Sequence, residues 1–382
     1  MTRSPFFTRE HEELRKAIRK FVAKEVTPHI DEWEEKGEFP LEIVRRMGEL
    51  GFLGLRYPVE VGGQGGDYFM SLILAEELAR CGAGGFPMAM AVQVEMATPP
   101  IMEFGTKDQH ERFLRPAIRG DKLAALGITE PNHGSDVASI ETRAVRDGDE
   151  WVINGSKTFI TNGPRADFVV LVTRTSPGKG YKGISLFLVE TDRPGFSVSR
   201  KLDKVGMRSS DTAELILEDV RVPHANLLGE EGKGFYHIMW ELQGERLIGA
   251  AGAVAIAQHA YEMALDYAKN RQAFGRPIGQ NQAVSHLLAE MATRIEAARQ
   301  LTYATAYRFS RGEVPSKEIS MAKLEGARVA CWVADRALQI FGGSGYMAKN
   351  RIERIWRDVR LYRIGGGTDQ VMKEIIAKEM GL

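Results

Sequence analysis

Gly127-Ile128-Thr129-Glu130-Pro131-Asn132-His133-Gly134-Ser135-Asp136 stands where the pattern of the chain changes. Before it, from about Glu10 to Gly120, Leu14, Ile18, Phe21, Val22, Ile43 and Leu50 recur between charged residues at helical spacing. Breaks fall around Gly37 to Pro40 and Tyr57 to Gly66. From about Lys122 to Asn226 the chain instead offers short β-like runs, at Trp151 to Ile153, Phe168 to Thr173, Ile184 to Val189 and Ala213 to Leu217, separated by Gly, Pro, Asp and Ser. Helical periodicity returns after Gly232-Lys233-Gly234, near residues 234–269, 280–311, 316–339 and 369–378. Small residues from Gly249 to Ala257 suit close helix packing. This order predicts an α+β fold: a helical domain over residues 1–120, a central β domain over 121–230 and a four-helix bundle over 231–382.

The 382 residues are enough for a substantial core. With 51 basic and 51 acidic residues, no broad field favours nucleic acid or an anionic membrane. Cys81 and Cys331 form no close pair, which argues against a disulfide framework or a structural zinc site. The amino terminus alternates charged and apolar residues and lacks the apolar run of a signal peptide. No stretch approaches the roughly 20 apolar residues of a membrane span. A cytoplasmic location is the simplest expectation, with no stable membrane insertion and no nucleic-acid partner.

Within the opening stretch, Pro131 restrains the backbone and Gly134 permits a close approach, while Thr129, Ser135 and exposed amides can bind carbonyl or phosphate oxygens. A capped turn would read the same way locally. His133 has no spaced ligand set, so no metal is expected. Next, Thr158-Phe159-Ile160-Thr161-Asn162-Gly163 places Phe159 and Thr161 on one side of a potential strand, an aromatic face and a hydroxyl available to a flat cofactor. Ordinary β packing is the alternative. Gly178-Lys179-Gly180-Tyr181-Lys182-Gly183 has dinucleotide-fingerprint spacing, but the strand-like Ile184 to Val189 follows it where a helix is required. A hairpin or surface loop is expected there.

The two central segments strongly resemble the acyl-CoA dehydrogenase family, and the resemblance continues through Lys201 to Arg208, Asn270 to Gly275 and Gln339 to Tyr346. It covers nearly the whole chain in order. The resemblance implies the same three-part fold, bound FAD and an acyl-CoA substrate. It places Thr129, Gly134, Ser135, Phe159 and Thr161 at the flavin, with Ser135 also near the pantetheine of the substrate. Arg271, Phe274, Gln339 and Gly343 would complete the FAD site across an oligomer interface, with Thr368 and Gln370 near the other end of the cofactor. A homotetramer is implied.

Removing an α proton needs a positioned base, and the developing enolate needs fixed donors. Many family members carry the base in a Tyr-Glu-Gly-Thr segment near the carboxy terminus. Here Ile364-Gly365-Gly366-Gly367-Thr368 puts Gly366 at that position. Glu245, in Glu241-Leu242-Gln243-Gly244-Glu245-Arg246-Leu247, resembles the base of the isovaleryl-CoA and long-chain acyl-CoA dehydrogenase branches. Glu241 is a local rival on the same helix face. Arg246 is expected to point elsewhere, toward CoA phosphates or a supporting carboxylate, and the Gly366 N–H to donate to the thioester carbonyl.

Met88 and Val92 fall where the family forms its acyl pocket, and Gly365 and Gly366 remove volume near the reacting carbons. Medium-to-long or branched acyl-CoAs are therefore expected, with trans-2-enoyl-CoA as product and an electron-transfer flavoprotein as electron acceptor. An oxidase using oxygen and a noncatalytic FAD-containing scaffold stand as the alternatives.

Overall fold

The computed structural model describes residues 5–177 and 180–382. The first 120 residues contain α1 (Arg9–Phe21), α2 (Ile30–Lys36), α3 (Glu42–Glu49), α4 (Tyr68–Leu78), α5 (Gly85–Ala91), α6 (Thr98–Phe104), α7 (Lys107–Gln109) and α8 (Arg115–Arg119). Thr8 starts α1 by a reciprocal cap: its hydroxyl accepts from the His11 N–H and His11 Nδ1 accepts from the Thr8 N–H. Gly37, in the left-handed region at φ +72°, ends α2 at the first predicted break. Nearly every residue of α4 is buried, because it runs through the middle of the helical layers rather than along their surface. Its polar residues Glu76 and Glu77 are met by Arg15 at 2.6 Å and Arg19 at 2.8 Å. A wide π turn, Val92–Ala97, joins α5 to α6 and carries the buried Gln93.

The central domain is an eight-stranded sheet made of β1 (Ala124–Gly127), β2 (Arg143–Asp147), β3 (Glu150–Thr161), β4 (Phe168–Arg174), β5 (Ile184–Glu190), β6 (Phe196–Lys201), β7 (Thr212–Pro223) and β8 (Leu227–Leu228). The strands follow the order β6-β7-β3-β2-β4-β5-β8, with β1 pairing parallel to β4. β4 is buried on both sides, which explains its unbroken apolar run. Phe168, Val170 and Val172 pack with Phe113, Leu114 and Ile118 of the first helical domain and with Ile238 and Leu242 of the last one. Val169 and Leu171 face the opposite core, with Trp151, Phe187 and Leu215. All three domains therefore meet at one face of β4. Gly180 to Gly183 lie between β4 and β5, as a loop rather than a helix start. Gly178 and Lys179 of that segment lie outside the described residues.

The last domain comprises α9 (Gly234–Asn270), α10 (Gln282–Ser310), α11 (Ser316–Phe341), α12 (Arg351–Asp358) and α13 (Asp369–Glu379). The small residues Ala250, Ala251, Gly252 and Ala253 are buried, and α9 comes so close to α11 that a Cβ on Gly326 would stand 3.2 Å from the Ala250 carbonyl oxygen. β9 (Gln272–Ala273) and β10 (Arg276–Pro277) form a short hairpin beyond α9, with Phe274 at its tip. Among the described residues no helix is long and apolar enough to cross a membrane.

Candidate active site

α9 carries Glu245 to the junction with the 365–367 turn. Gly366 has φ +65°, a conformation that glycine adopts readily, and a Cβ built there would lie 3.0 Å from Glu245 Oε1. The two positions singled out in the sequence thus meet in space. The turn is tied down on both sides: Arg246 Nε donates to the Gly366 carbonyl at 3.0 Å, and Lys323 Nζ, from α11, donates to the Gly367 carbonyl. Burial pushes the Glu245 carboxyl up to about 7, while the Arg246 and Lys323 charges pull the other way. Burial also lowers Lys323 to about 8.

Arg246 was expected to turn toward CoA phosphates or a supporting carboxylate. Its side chain is buried, bonds to the Gly366 carbonyl and feels the charges of the Glu245 and Glu241 carboxyls. One residue is about 100° around a helix, but the 365–367 turn spans enough of the α9 surface for both Glu245 and Arg246 to reach it.

A second cluster joins the opening stretch to β3. The Thr158 N–H donates to the Thr129 carbonyl at 2.8 Å. Lys157, fully buried, reaches across to Glu130 at 2.8 Å and to the Ile128 carbonyl at 3.0 Å. Glu130 also accepts the Glu141 and Thr142 N–H groups. These bonds and the Lys157 charge hold the Glu130 carboxyl below its ordinary value despite burial, which opposes them as the largest influence. Lys157 is lowered to about 8, chiefly by burial.

β3 does not alternate regularly at the expected aromatic. Its pairing advances three residues, from Lys157 to Ile160, while β7 advances two, from Leu215 to Ala213. The extra residue makes a bulge, turns Phe159 into the left-handed region at φ +61° and leaves it 68% exposed. A bulky residue held there marks a strained, built feature. Ile160 points into the core and Thr161 is half-buried. Thr129 is half-buried too, whereas Gly134 and Ser135 are exposed, and a Cβ on Gly134 would meet nothing within 4 Å.

The remaining candidates do not share one place. Thr368 caps α13, its hydroxyl accepting the Val371 N–H at 3.2 Å, and Gln370 is exposed in the first turn of that helix. Met88 is half-buried on α5, Val92 is buried just beyond it, and Gly365 is exposed beside Gly366. Arg271, Phe274, Gln339 and Gly343 gather at the far end of α9, where Tyr267 stacks on Phe341 with ring centroids 4.3 Å apart. Arg271 lies roughly 40 Å from Glu245 along α9, at about 1.5 Å per residue. Phe274 is 99% exposed at φ +54°. Lys157, Glu130 and Lys323 carry no motif in the sequence that marks them as functional contacts. Their signal is weak, because a charged residue usually faces solvent.

Three family models together span the chain: the acyl-CoA dehydrogenase N-terminal domain over residues 8–121, the middle domain over 125–220 and the C-terminal domain over 232–381. An acyl-CoA dehydrogenase of Bacillus subtilis (strain 168) is 41% identical over 371 residues, 97% of this chain and 98% of that protein. Subunit CarC of a caffeyl-CoA reductase-Etf complex of Acetobacterium woodii is 39% identical, over 97% of this chain and 98% of its own. The crystal structure of acyl-CoA dehydrogenase from Geobacillus kaustophilus superposes with a TM-score of 0.97 at 40% identity, covering all of both chains. The chain belongs to the acyl-CoA dehydrogenase family. It is a flavoprotein oxidoreductase whose cofactor is FAD, and the family fits FAD-dependent acyl-CoA dehydrogenation. An exposed aromatic on a bulge, the open space over Gly134 and the side-chain-free turn at Gly365 and Gly366 suit a large planar group and a thioester.

Proposed function

We propose that Glu245 removes the α proton of an acyl-CoA and that the product is the trans-2-enoyl-CoA. The observation that carries this reading is the empty Cβ position of Gly366, 3.0 Å from Glu245 Oε1. A carboxylate from α9 occupies the space that a side chain from the 365–367 turn would otherwise enter. With its carboxyl held near 7, Glu245 is poised between base and acid at neutral pH. The Gly366 N–H donates to the thioester carbonyl, where charge develops as the α proton leaves. Bound FAD supplies the acceptor for the hydride that leaves the β carbon. The two carbons are then joined by a double bond, and the proton rests on Glu245.

Thr129, Gly134, Ser135, Phe159 and Thr161 hold the flavin end, with Thr368 and Gln370 near the other end of the cofactor. Ser135, Met88, Val92 and Gly365 contact the substrate, and Arg246 supports the Gly366 turn from behind. The roughly 40 Å between Glu245 and Arg271 supports a homotetramer in which Arg271, Phe274, Gln339 and Gly343 serve the cofactor of another subunit. Electrons pass to an electron-transfer flavoprotein, in keeping with the relative named as part of an Etf complex.

Anaerobic bleaching of the flavin by a panel of acyl-CoA thioesters tests this reading. Medium-to-long or branched chains are expected to bleach faster than very short straight ones, because Gly365 and Gly366 leave width at the reacting carbons. A sharp preference for butyryl-CoA sinks the pocket argument, and no bleaching by any thioester sinks the dehydrogenase reading. Gly366→Ala is expected to slow bleaching by roughly tenfold to 10²-fold, since its methyl group displaces the base and a shift near one ångström costs about that much. A normal rate in that variant would separate Glu245 from the chemistry.

A further inference from the structure

We propose that Glu241 is a positioning residue for proton abstraction: it sits protonated one helical turn before Glu245 and donates its carboxyl hydrogen to the Glu245 carboxylate. The inference rests on the reading of Glu245 as the base.

Glu241 is 2% exposed, and among the described residues no N–H or O–H group donates to either of its oxygens. An ionised carboxylate buried without donors is costly, so the neutral acid is the stable form. Residues four apart share a helix face, so the unpartnered Glu241 oxygens lie one turn from the Glu245 carboxyl. One proton between them turns a repulsive pair of anions into an acid bonded to a carboxylate.

The groups facing this pair from each neighbouring element favour the proton on Glu241. Arg56, which follows the turn Phe52–Gly54, is tied to Glu95 of the π turn at 3.2 Å, so its charge is largely offset. The Tyr68 hydroxyl, from α4, donates to the Gly244 carbonyl at 2.9 Å. Arg246 acts on both carboxyls, whereas Lys323 of α11 acts on Glu245. Burial, and after it the Glu245 charge, lifts Glu241 well above the ordinary carboxylate range. Glu245 is lifted less, with Arg246 and Lys323 holding it down. The α proton of the substrate therefore goes to Glu245, and the proton already on Glu241 stays where it is.

The test follows the pH dependence of substrate-driven flavin reduction in the full-length, FAD-loaded protein. Glu241→Leu removes the donor, and the acid limb is expected to move to higher pH by about one unit or more, roughly a tenfold loss of active base below the limb. Glu241→Gln keeps a donor in its amide and is expected to hold the limb within about half a unit of the parent. FAD content and thermal midpoint report whether each variant is folded. If the leucine variant does not fold, the infrared C=O band of a protonated carboxyl in the resting protein, lost in Glu241→Gln, carries the test instead. A limb moving to lower pH in Glu241→Leu shows that Glu241 was ionised and overturns the proposal. So does an unmoved limb, a glutamine variant that shifts like leucine, or an infrared band unaffected by Glu241→Gln. Should Glu245→Gln itself retain rapid bleaching, the assignment of the base fails first, and that result is separate from these.

Discussion

Glu245→Gln is expected to lower the rate of substrate-driven flavin reduction by about 10²-fold or more while leaving FAD content and folding intact. Glutamine keeps the length and polarity of the side chain beside Gly366 but cannot accept the α proton. The parent protein carries a second signature. Its base must be ionised to act, and burial holds that carboxyl near 7, so reduction should speed up as pH rises through neutrality and then level off. In the glutamine variant the residual rate should be flat across the same range. Rapid-mixing measurements of bleaching at several pH values, with occupancy checked, read both outcomes. Near-normal bleaching in the variant, or a parent limb far below neutrality, would remove Glu245 from the role.

The largest loss of stability is expected from Lys157→Met. The ammonium group is fully buried between Glu130 and the Ile128 carbonyl, and methionine fills its volume without its charge. Removing one member of a buried ion pair typically costs about 3–5 kcal/mol, because the other charge is left behind. Two backbone N–H groups still serve Glu130, which argues for the lower end, about 3 kcal/mol. At roughly 2–4 °C per kcal/mol for a large domain, the thermal midpoint should fall by about 6–12 °C. Weaker FAD retention should accompany it, since Lys157 ties the Thr129 stretch to the bulged part of β3. Adding Glu130→Gln should recover part of the loss. A single variant as stable as the parent would show that the pair contributes nothing net to the fold.

Long periodic segments made the helices legible. The predicted helix at 316–339 is Ser316–Phe341, and that at 369–378 is Asp369–Glu379. The strands that escaped notice are short or polar. β1 is Ala-Ala-Leu-Gly without alternation, β2 buries Ala144 alone among its five residues, and β6 lies at an edge with its side chains mostly exposed. α12 was hidden by its charge, although Ile352 and Ile355 pack inward. Within the site, Glu245 and Gly366 could be picked out by family resemblance, but that Glu245 stands where a Gly366 side chain would point is a tertiary fact. The bulge that turns Phe159 outward depends on how β3 is paired with β7, and Glu130 with Lys157 depends on a contact 27 residues apart in the chain. No periodicity reports either of these.

Asn162 and Gly163, the last of the residues read as a flavin-side segment, form a dipeptide that ages quickly in flexible peptides, where the glycine nitrogen attacks the asparagine amide and expels ammonia. Here the amide is fully buried and donates to the carbonyls of Ala89 and Ala124 at 3.1 Å each, fastening α5 to β1. The glycine N–H is engaged with the Ile160 carbonyl at 3.2 Å. Ring closure would require both attachments to break, which couples the chemical lifetime of this bond to opening of the joint between the helical layer and the sheet. Samples kept well below their melting range should therefore keep the amide, and those cycled through partial unfolding should acquire a negative charge inside a buried seam and fail to close again.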